Sequence, residues 1–152
     1  AFFFVFRGAP RRVSESAADW VVAFLGTAAP LLLFPGGTTI WSGGDLIVIL
    51  GSVMQIGGLL SLNRSFAVVP AQRVIKTGGL YRYVRHPMYT SYLLLFAGYF
   101  LMNMSPYNAL VICMAIGLMF LRIELEERYL LADEQYRAYH ATVRFRLIPY
   151  IY

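Results

Sequence analysis

Four long apolar runs, each bounded by polar or turn-forming residues, dominate the pattern of this chain. They cover residues 17–34, 46–62, 87–102 and 108–121. Runs of about 20 residues with few charges are typical of helices that cross a membrane. Residues 1–6 form a further apolar stretch, which predicts the end of a helix whose beginning is missing. The pattern predicts an all-α integral membrane protein with four complete transmembrane helices, the end of a truncated N-terminal one and a C-terminal helical segment.

Turn and cap residues set the expected ends of these helices. The Pro-Gly-Gly sequence at 35–37 follows the first run and ends it. Asp45 opens the second run, where an acidic side chain favours the first turn of a helix. Proline is favoured at the first helical position because its missing N–H is not needed there. Pro87 is therefore expected to begin the third helix, with His86 as its cap or the residue beside the cap.

Basic residues lie on one side of the alternating loops. All 13 Lys and Arg residues fall in the segments 7–19, 63–86 and 122–152, while the loops 35–45 and 103–107 contain none. Positively charged loops mark the cytoplasmic side of a membrane protein. The three basic segments are therefore predicted to be cytoplasmic. The net charge of +5 is then explained by topology, without nucleic acid as a partner.

Composition supports a membrane protein and excludes two kinds of site. The chain has 152 residues, of which 59% are apolar and 14% charged, whereas a soluble domain usually carries about a quarter charged residues. The length fits one domain, residues 1–152. The lone Cys113 cannot form an internal disulfide, and the two histidines, His86 and His140, provide no metal-ligand cluster.

One polar stretch before the third run concentrates candidate chemistry. Residues 77–89 read Thr-Gly-Gly-Leu-Tyr-Arg-Tyr-Val-Arg-His-Pro-Met-Tyr. The two glycines permit a backbone turn. A helix that starts at Pro87 directs its first N–H groups back into this stretch, which attracts a carboxylate or phosphate. An equally weighted alternative is a juxtamembrane loop whose arginines contact lipid phosphates.

A second chemical stretch continues the fourth run out of the membrane. Arg122 and Glu126 are four residues apart and share a helix face. The short loop at 103–107 makes the third and fourth helices antiparallel neighbours, which brings residues 86–89 and 122–127 to the same depth. The alternative is an arginine that extends its charge to the membrane surface and pairs along the helix.

Three later residues recur at about helical spacing and could close over this region: Tyr136, Tyr139 and Val143. The same spacing is equally typical of an amphipathic helix that lies at the membrane interface and carries an aromatic belt. The sequence leaves both alternatives open.

These stretches resemble the isoprenylcysteine carboxyl methyltransferase family of integral membrane enzymes. The matching segments are 76–91, then 122–130 with its adjacent Glu126 and Glu127, and finally the tail from 135 to 149. The resemblance covers residues 63–149, which is the expected catalytic part. The earlier residues match only as hydrophobic helices, and the segment 66–72 departs from the eukaryotic pattern.

The resemblance implies S-adenosylmethionine as the methyl donor, bound at the cytoplasmic membrane edge. It also implies that Arg122 meets the acceptor carboxylate. The residues carried over as cofactor contacts are Arg73, Val74, Ile75, Lys76, Tyr81, His86, Pro87, Met88, Tyr89 and Glu126.

The choice of acceptor decides whether the enzyme needs a base. A carboxylate is already ionised at neutral pH, so its methylation needs desolvation and in-line placement rather than a general base. An amine acceptor would need a proton acceptor, for which Glu127 or His86 is the nearest candidate.

We therefore expect a methyltransferase in the inner membrane of a microbe, with its active site facing the cytoplasm. It would most readily O-methylate the carboxyl group of a lipophilic or lipidated acceptor, and its other contacts would be membrane lipids. Two alternatives stay open: a phospholipid or small-amine N-methyltransferase on the same scaffold, and a non-catalytic helical subunit of a membrane complex. A reductase is less favoured, because no dinucleotide-binding glycine fingerprint is found.

Overall fold

The computed structural model of the chain describes residues 12–13, 16–62, 71–72, 75 and 77–152. Over these residues the helices are α1 (Ala17–Ala28), α2 (Gly44–Leu62), α3 (Pro87–Met102), α4 (Pro106–Leu130) and α5 (Glu134–Thr142). Two 3₁₀ turns, Ala29–Leu32 and Gly79–Arg82, accompany them. Two-residue strands β1 (Arg12–Val13) and β2 (Ala71–Gln72) form an antiparallel ladder. The helical architecture is confirmed, and the predicted helix end at 1–6 lies outside the described residues.

Helix starts follow local chemistry. His86 is the N-cap of α3, and Pro87 takes the first helical position, as predicted. Ser105 caps α4 by accepting a hydrogen bond from the Asn108 N–H at 3.1 Å. One boundary was wrong: the first run does not remain α-helical to its end. It becomes a 3₁₀ turn from Ala29, because Pro30 has no N–H to donate to the preceding turn.

Helices α2 and α3 approach so closely that side chains are excluded at their contact. Gly44, Gly51 and Gly58 recur every seven residues on the face of α2 that meets α3. A Cβ atom on Gly98 of α3 would lie 2.6 Å from the Gly44 carbonyl oxygen, and one on Gly51 would lie 3.1 Å from Leu94. Small residues let membrane helices pack closely. The sequence of α2 offers Gly51, Gly57, Gly58 and Ser61 for such an approach, and Gly51 and Gly58 lie at this contact.

One fully buried amide links the segments that meet where α3 ends and α4 begins. Asn108, at the start of α4, is 0% exposed. Its Oδ1 accepts from the Phe34 N–H at 3.1 Å, and its Nδ2 donates to the carbonyls of Phe34 and Asn103 at 3.0 and 2.7 Å. Because a buried amide must be hydrogen-bonded, this residue fixes the ends of α1, α3 and α4 relative to one another.

Some helices of the bundle have the length and the exposed apolar surface that are typical of membrane-spanning helices. Within the described residues, the helices long and apolar enough to cross are Gly44–Ser61 and Pro106–Leu130, while Ala17–Leu32 is a shorter apolar helix. Helix α3 has 16 residues, or about 24 Å, which is less than a hydrocarbon core of about 30 Å. Four complete spans are therefore not confirmed. The outward face of α2 consists of exposed large apolar side chains: Leu46, Ile49, Leu50, Val53, Ile56 and Leu60.

The α2–α3 contact generates a stability prediction. Gly98→Ala should lower the free energy of unfolding by about 1–3 kcal/mol, since overpacking costs this much in other cores. The measurement is thermal unfolding of the purified protein in detergent micelles. The control is Gly117→Ala on α4, whose Cβ atom would meet no described atom within 4 Å. Gly117→Ala should leave the midpoint unchanged or slightly higher. Equal midpoints for the two variants would contradict a tight contact.

Candidate active site

The C-terminal segment folds back onto the polar stretch that precedes α3. The backbone N–H groups of Arg85 and His86 donate to the carbonyls of Phe145 and Arg146, both at 2.9 Å. The two segments are far apart in sequence, and these hydrogen bonds place them side by side at the start of α3. The tail therefore forms one wall of the region in which the sequence predicted the site.

Glu127 on α4 lies where the tail meets the start of α3, a contact called the Glu127 junction here, and is 3% exposed. Its Oε1 accepts from Arg85 Nε at 2.8 Å and lies 3.1 Å from His86 Nε2. Its Oε2 lies 2.8 Å from Arg146 Nη2 and accepts from Arg146 Nε at 2.9 Å. A buried carboxylate is tolerated only when it is paired and hydrogen-bonded. Here two guanidinium groups and one imidazole provide the pairing.

These contacts do not favour Glu127 as a proton acceptor. Both of its oxygens are already bound by donors, and the two arginines stabilise its negative charge. His86, the other candidate proton acceptor, is also buried and faces Glu127. The surroundings of both residues indicate a structural role.

A second group of contacts brings Tyr89, Glu126 and Arg122 together. The Tyr89 hydroxyl donates to Glu126 Oε2 at 3.1 Å. The Arg122 guanidinium carbon lies 5.9 Å from the centre of the Tyr89 ring, within the range of a cation–π contact. Arg122 Nη1 also donates to Thr27 Oγ1 of α1 at 3.2 Å. Sequence reasoning missed Thr27, which carries no motif and lies 95 residues from Arg122.

An apolar cavity of about 330 Å³ ends at this second group. Arg122 and Thr27 supply polar groups to its wall, and most of its remaining wall is aliphatic or aromatic. Its lining comes from helices α1 to α4 and the 3₁₀ turn after α1: Gly26, Thr27, Pro30, Leu33, Val48, Tyr89, Tyr92, Leu95, Phe96, Tyr99, Ala115, Met119 and Arg122. An amphipathic molecule with an apolar chain and a polar head fits such a lining.

Helix α5 packs a tyrosine cluster beside the two acidic residues. Tyr136, Tyr139 and Val143 form a buried cluster, against which the side chain of Ile75 also packs. The Tyr139 hydroxyl donates to the Tyr81 carbonyl at 2.7 Å. Burial raises the pKa of Tyr139 to about 12, and burial together with the charge of Glu126 raises the pKa of Tyr81 well above its usual value. These phenols are therefore protonated at neutral pH.

The predicted cofactor contacts that the structure describes take part in different interactions. Tyr89 donates to Glu126, His86 faces Glu127, and Tyr81 and Ile75 contact the tyrosine cluster. The Pro87 side chain is buried, and Met88 Cγ lies 3.1 Å from the position of a Cβ atom built on Gly58, so both pack against protein. Arg73, Val74 and Lys76 lie outside the described residues.

The contacts at the start of α3 give less support to the anion site predicted there. The N–H groups of Tyr89 and Thr90 donate to the His86 carbonyl at 3.0 and 3.2 Å, so they are used within α3. Around Glu127, the residues that sequence reasoning left without a role are Arg85 and Arg146. Arg85 lies inside the polar motif and Arg146 in the matching tail, which were the available signals.

The Glu127 junction generates a second stability prediction. Glu127→Gln keeps the shape but leaves the buried Arg85 without its counter-charge, so the free energy of unfolding should fall by about 3 kcal/mol. Thermal unfolding in detergent measures this. The control is Glu124→Gln, because Glu124 is 45% exposed and its contact among the described residues is with Arg146 Nη1; it should cost less than about 1 kcal/mol. Equal losses for the two variants would contradict a central role of Glu127 in stability.

Comparison with known proteins identifies the scaffold. Residues 39–138 match the phospholipid methyltransferase family. Two curated relatives from Arabidopsis thaliana are Protein-S-isoprenylcysteine O-methyltransferase B, which is 28% identical over 123 residues, and Protein-S-isoprenylcysteine O-methyltransferase A, which is 26% identical over 123 residues. Each alignment covers 75% of this chain and 62% of the relative, so the chain spans less than two thirds of their length. These matches confirm the resemblance, and the chain belongs to the phospholipid methyltransferase family.

Proposed function

We propose that the protein is an integral membrane methyltransferase that uses S-adenosylmethionine and methylates the carboxylate of a lipophilic acceptor at the cytoplasmic face. One arrangement carries this proposal: an apolar cavity ends at the Arg122 guanidinium, which contacts Tyr89, and Tyr89 binds Glu126. The names of the two relatives describe O-methylation of an S-isoprenylcysteine, an acceptor with an apolar chain and a carboxylate.

The proposed topology has four spans, α1 to α4, with α5 and the tail in the cytoplasm. The one-sided distribution of basic residues supports this orientation. The short α3 is packed along α2, so its length need not match the full hydrocarbon thickness. Its start at Pro87 would then lie near the cytoplasmic boundary, where a water-soluble donor and a lipid-soluble acceptor can meet.

The residues around Glu126 suit the binding of the methyl donor. S-adenosylmethionine supplies an electrophilic methyl group on a cationic sulfonium. Glu126 can accept hydrogen bonds from an ammonium or hydroxyl group, and a carboxylate offers about four acceptor positions, of which Tyr89 fills one. The buried hydroxyl of Tyr136, for which the described residues supply no partner, is a further polar group beside Glu126. The tyrosine cluster supplies apolar surface for the nucleoside.

Arg122 fits the acceptor. Its planar fork can bind a carboxylate through two parallel hydrogen bonds, while the apolar cavity holds the chain. An ionised carboxylate needs no base, which agrees with the engagement of Glu127 by Arg85, His86 and Arg146. The match to phospholipid methyltransferases keeps an amine acceptor as the second candidate. That reaction would need a proton acceptor, for which Glu126, bound to the cavity-lining Tyr89, is a candidate.

The donor role of Glu126 is tested by removing its charge. Glu126→Gln should weaken binding of S-adenosylhomocysteine by about tenfold, since the loss of one charged hydrogen bond costs about 1–3 kcal/mol. Isothermal titration calorimetry on folded protein measures the change. Glu124→Gln, two residues away on the same helix, should bind normally. Unchanged affinity in Glu126→Gln would rule out this role. A parent protein that does not bind S-adenosylhomocysteine would instead favour the non-catalytic subunit.

The acceptor role of Arg122 is tested by keeping its charge and removing its fork. Arg122→Lys should lower methyl transfer to lipophilic carboxylates at least tenfold, because bidentate recognition is lost, while donor affinity changes little. The measurements are calorimetry with S-adenosylhomocysteine and transfer of labelled methyl groups to matched carboxylates and amines.

Arg128→Lys, at an exposed position on the same helix, is the control and should behave like the parent. Loss of donor binding in Arg122→Lys would show that the acceptor role is wrong. Methylation of amines but not of carboxylates by the parent would replace the carboxyl acceptor with the phospholipid-type alternative.

A further inference from the structure

Tyr136 is a buried phenol in the tyrosine cluster beside Glu126 and Glu127. Its side chain lies on α5 and is 4% exposed. Among the buried side-chain oxygen and nitrogen atoms of the described residues, the Tyr136 hydroxyl lacks a hydrogen-bond partner. Leaving such a group unpaired costs free energy, and a native protein retains it where a ligand or other partner satisfies it.

The neighbouring Tyr139 shows that this is not a general property of the cluster. The rings of Tyr136 and Tyr139 lie 5.8 Å apart on the same helix. The Tyr139 hydroxyl donates to the Tyr81 carbonyl at 2.7 Å and so has a structural role. Two adjacent phenols therefore differ in one respect, since one is satisfied by the protein and the other is not.

The surroundings of Tyr136 indicate the kind of ligand. Its hydroxyl is close enough to Glu127 and Glu126 for their charges to raise its pKa, after burial as the main cause. The phenol is therefore a protonated hydrogen-bond donor at neutral pH. The rest of its cluster is apolar or aromatic, from Tyr139, Val143, Ile75 and Leu130. A buried donor among apolar and aromatic side chains suits a flat aromatic group that carries hydrogen-bond acceptors.

We propose that the Tyr136 hydroxyl is a contact of the donor site and donates a hydrogen bond to the nucleoside part of S-adenosylmethionine. This inference rests on the proposed function and extends it, because it assigns the nucleoside to the tyrosine cluster and leaves Glu126 for the other polar groups of the donor. It also explains why the Tyr136 hydroxyl is left without a partner beside two carboxylates, because the bound ligand would supply its hydrogen-bond acceptor.

The test is Tyr136→Phe, which removes only the hydroxyl. In the ligand-free protein it should leave the unfolding midpoint unchanged or higher, because no protein hydrogen bond is lost. It should weaken binding of S-adenosylhomocysteine by about five- to tenfold in calorimetry, the effect of one hydrogen bond. The same factor should appear for 5′-methylthioadenosine, which keeps the nucleoside and lacks the amino-acid end.

Tyr139→Phe is the control and should lower the unfolding midpoint, because it removes a hydrogen bond that the protein makes to itself. Three results would overturn the inference: unchanged S-adenosylhomocysteine affinity in Tyr136→Phe, a loss confined to S-adenosylhomocysteine, or no binding of methylthioadenosine to the parent at millimolar concentration. Failure of the parent to bind S-adenosylhomocysteine would overturn the proposed function itself, so the two failures are distinguishable.

Discussion

The burial of one carboxylate holds the functional end of this protein together. Glu127 is almost fully buried, and a lone carboxylate there would be unstable. Its partners come from two places in the chain: Arg85 and His86 precede α3, while Arg146 follows α5. The fold must bring both segments to the end of α4 in order to pair this charge. The tail and the start of α3 are thereby positioned by a single requirement.

This requirement separates the roles of two adjacent acidic residues. Consecutive positions on a helix point about 100° apart, so Glu126 and Glu127 cannot face the same partners. Glu127 turns toward the arginines and is enclosed, whereas Glu126 is half-buried and receives the Tyr89 hydroxyl. Tyr89 belongs to the first turn of α3, whose start is fixed by the Glu127 junction. The enclosed residue therefore sets the geometry that presents the other one to a ligand.

Local signals in the sequence were sufficient for the parts of the fold that local chemistry decides. Pro87 and Asp45 marked helix starts correctly, and the glycines of α2 marked a close helix contact. The α-helical length of the first run was wrong because the effect of Pro30 on the preceding turn outweighed the apolar pattern. Segregation of basic residues predicts orientation but not how many helices are long enough to span.

The contacts of the site were less predictable, because they join residues that share no periodicity. Arg85 and Glu127 are 42 residues apart, and Arg122 and Thr27 are 95 apart. Arginines in a polar loop and in a tail look alike in sequence whether they bind lipid phosphates or a buried carboxylate. The motif therefore indicated a region in which charged groups meet, while the partner of each charged group depends on the packing of α1, α4 and the tail.

The placement of Arg122 links the membrane to the proposed chemistry. The Arg122 guanidinium lies at the end of an apolar cavity, and its contacts include the Thr27 hydroxyl and the Tyr89 ring. An anionic head group that entered with its apolar chain could add a bidentate charged pair to these contacts. It would also lose water on entry, which raises the reactivity of a carboxylate toward an electrophilic methyl group. Under the proposed function, recognition and activation of the acceptor would therefore have the same physical origin, and neither would need a general base.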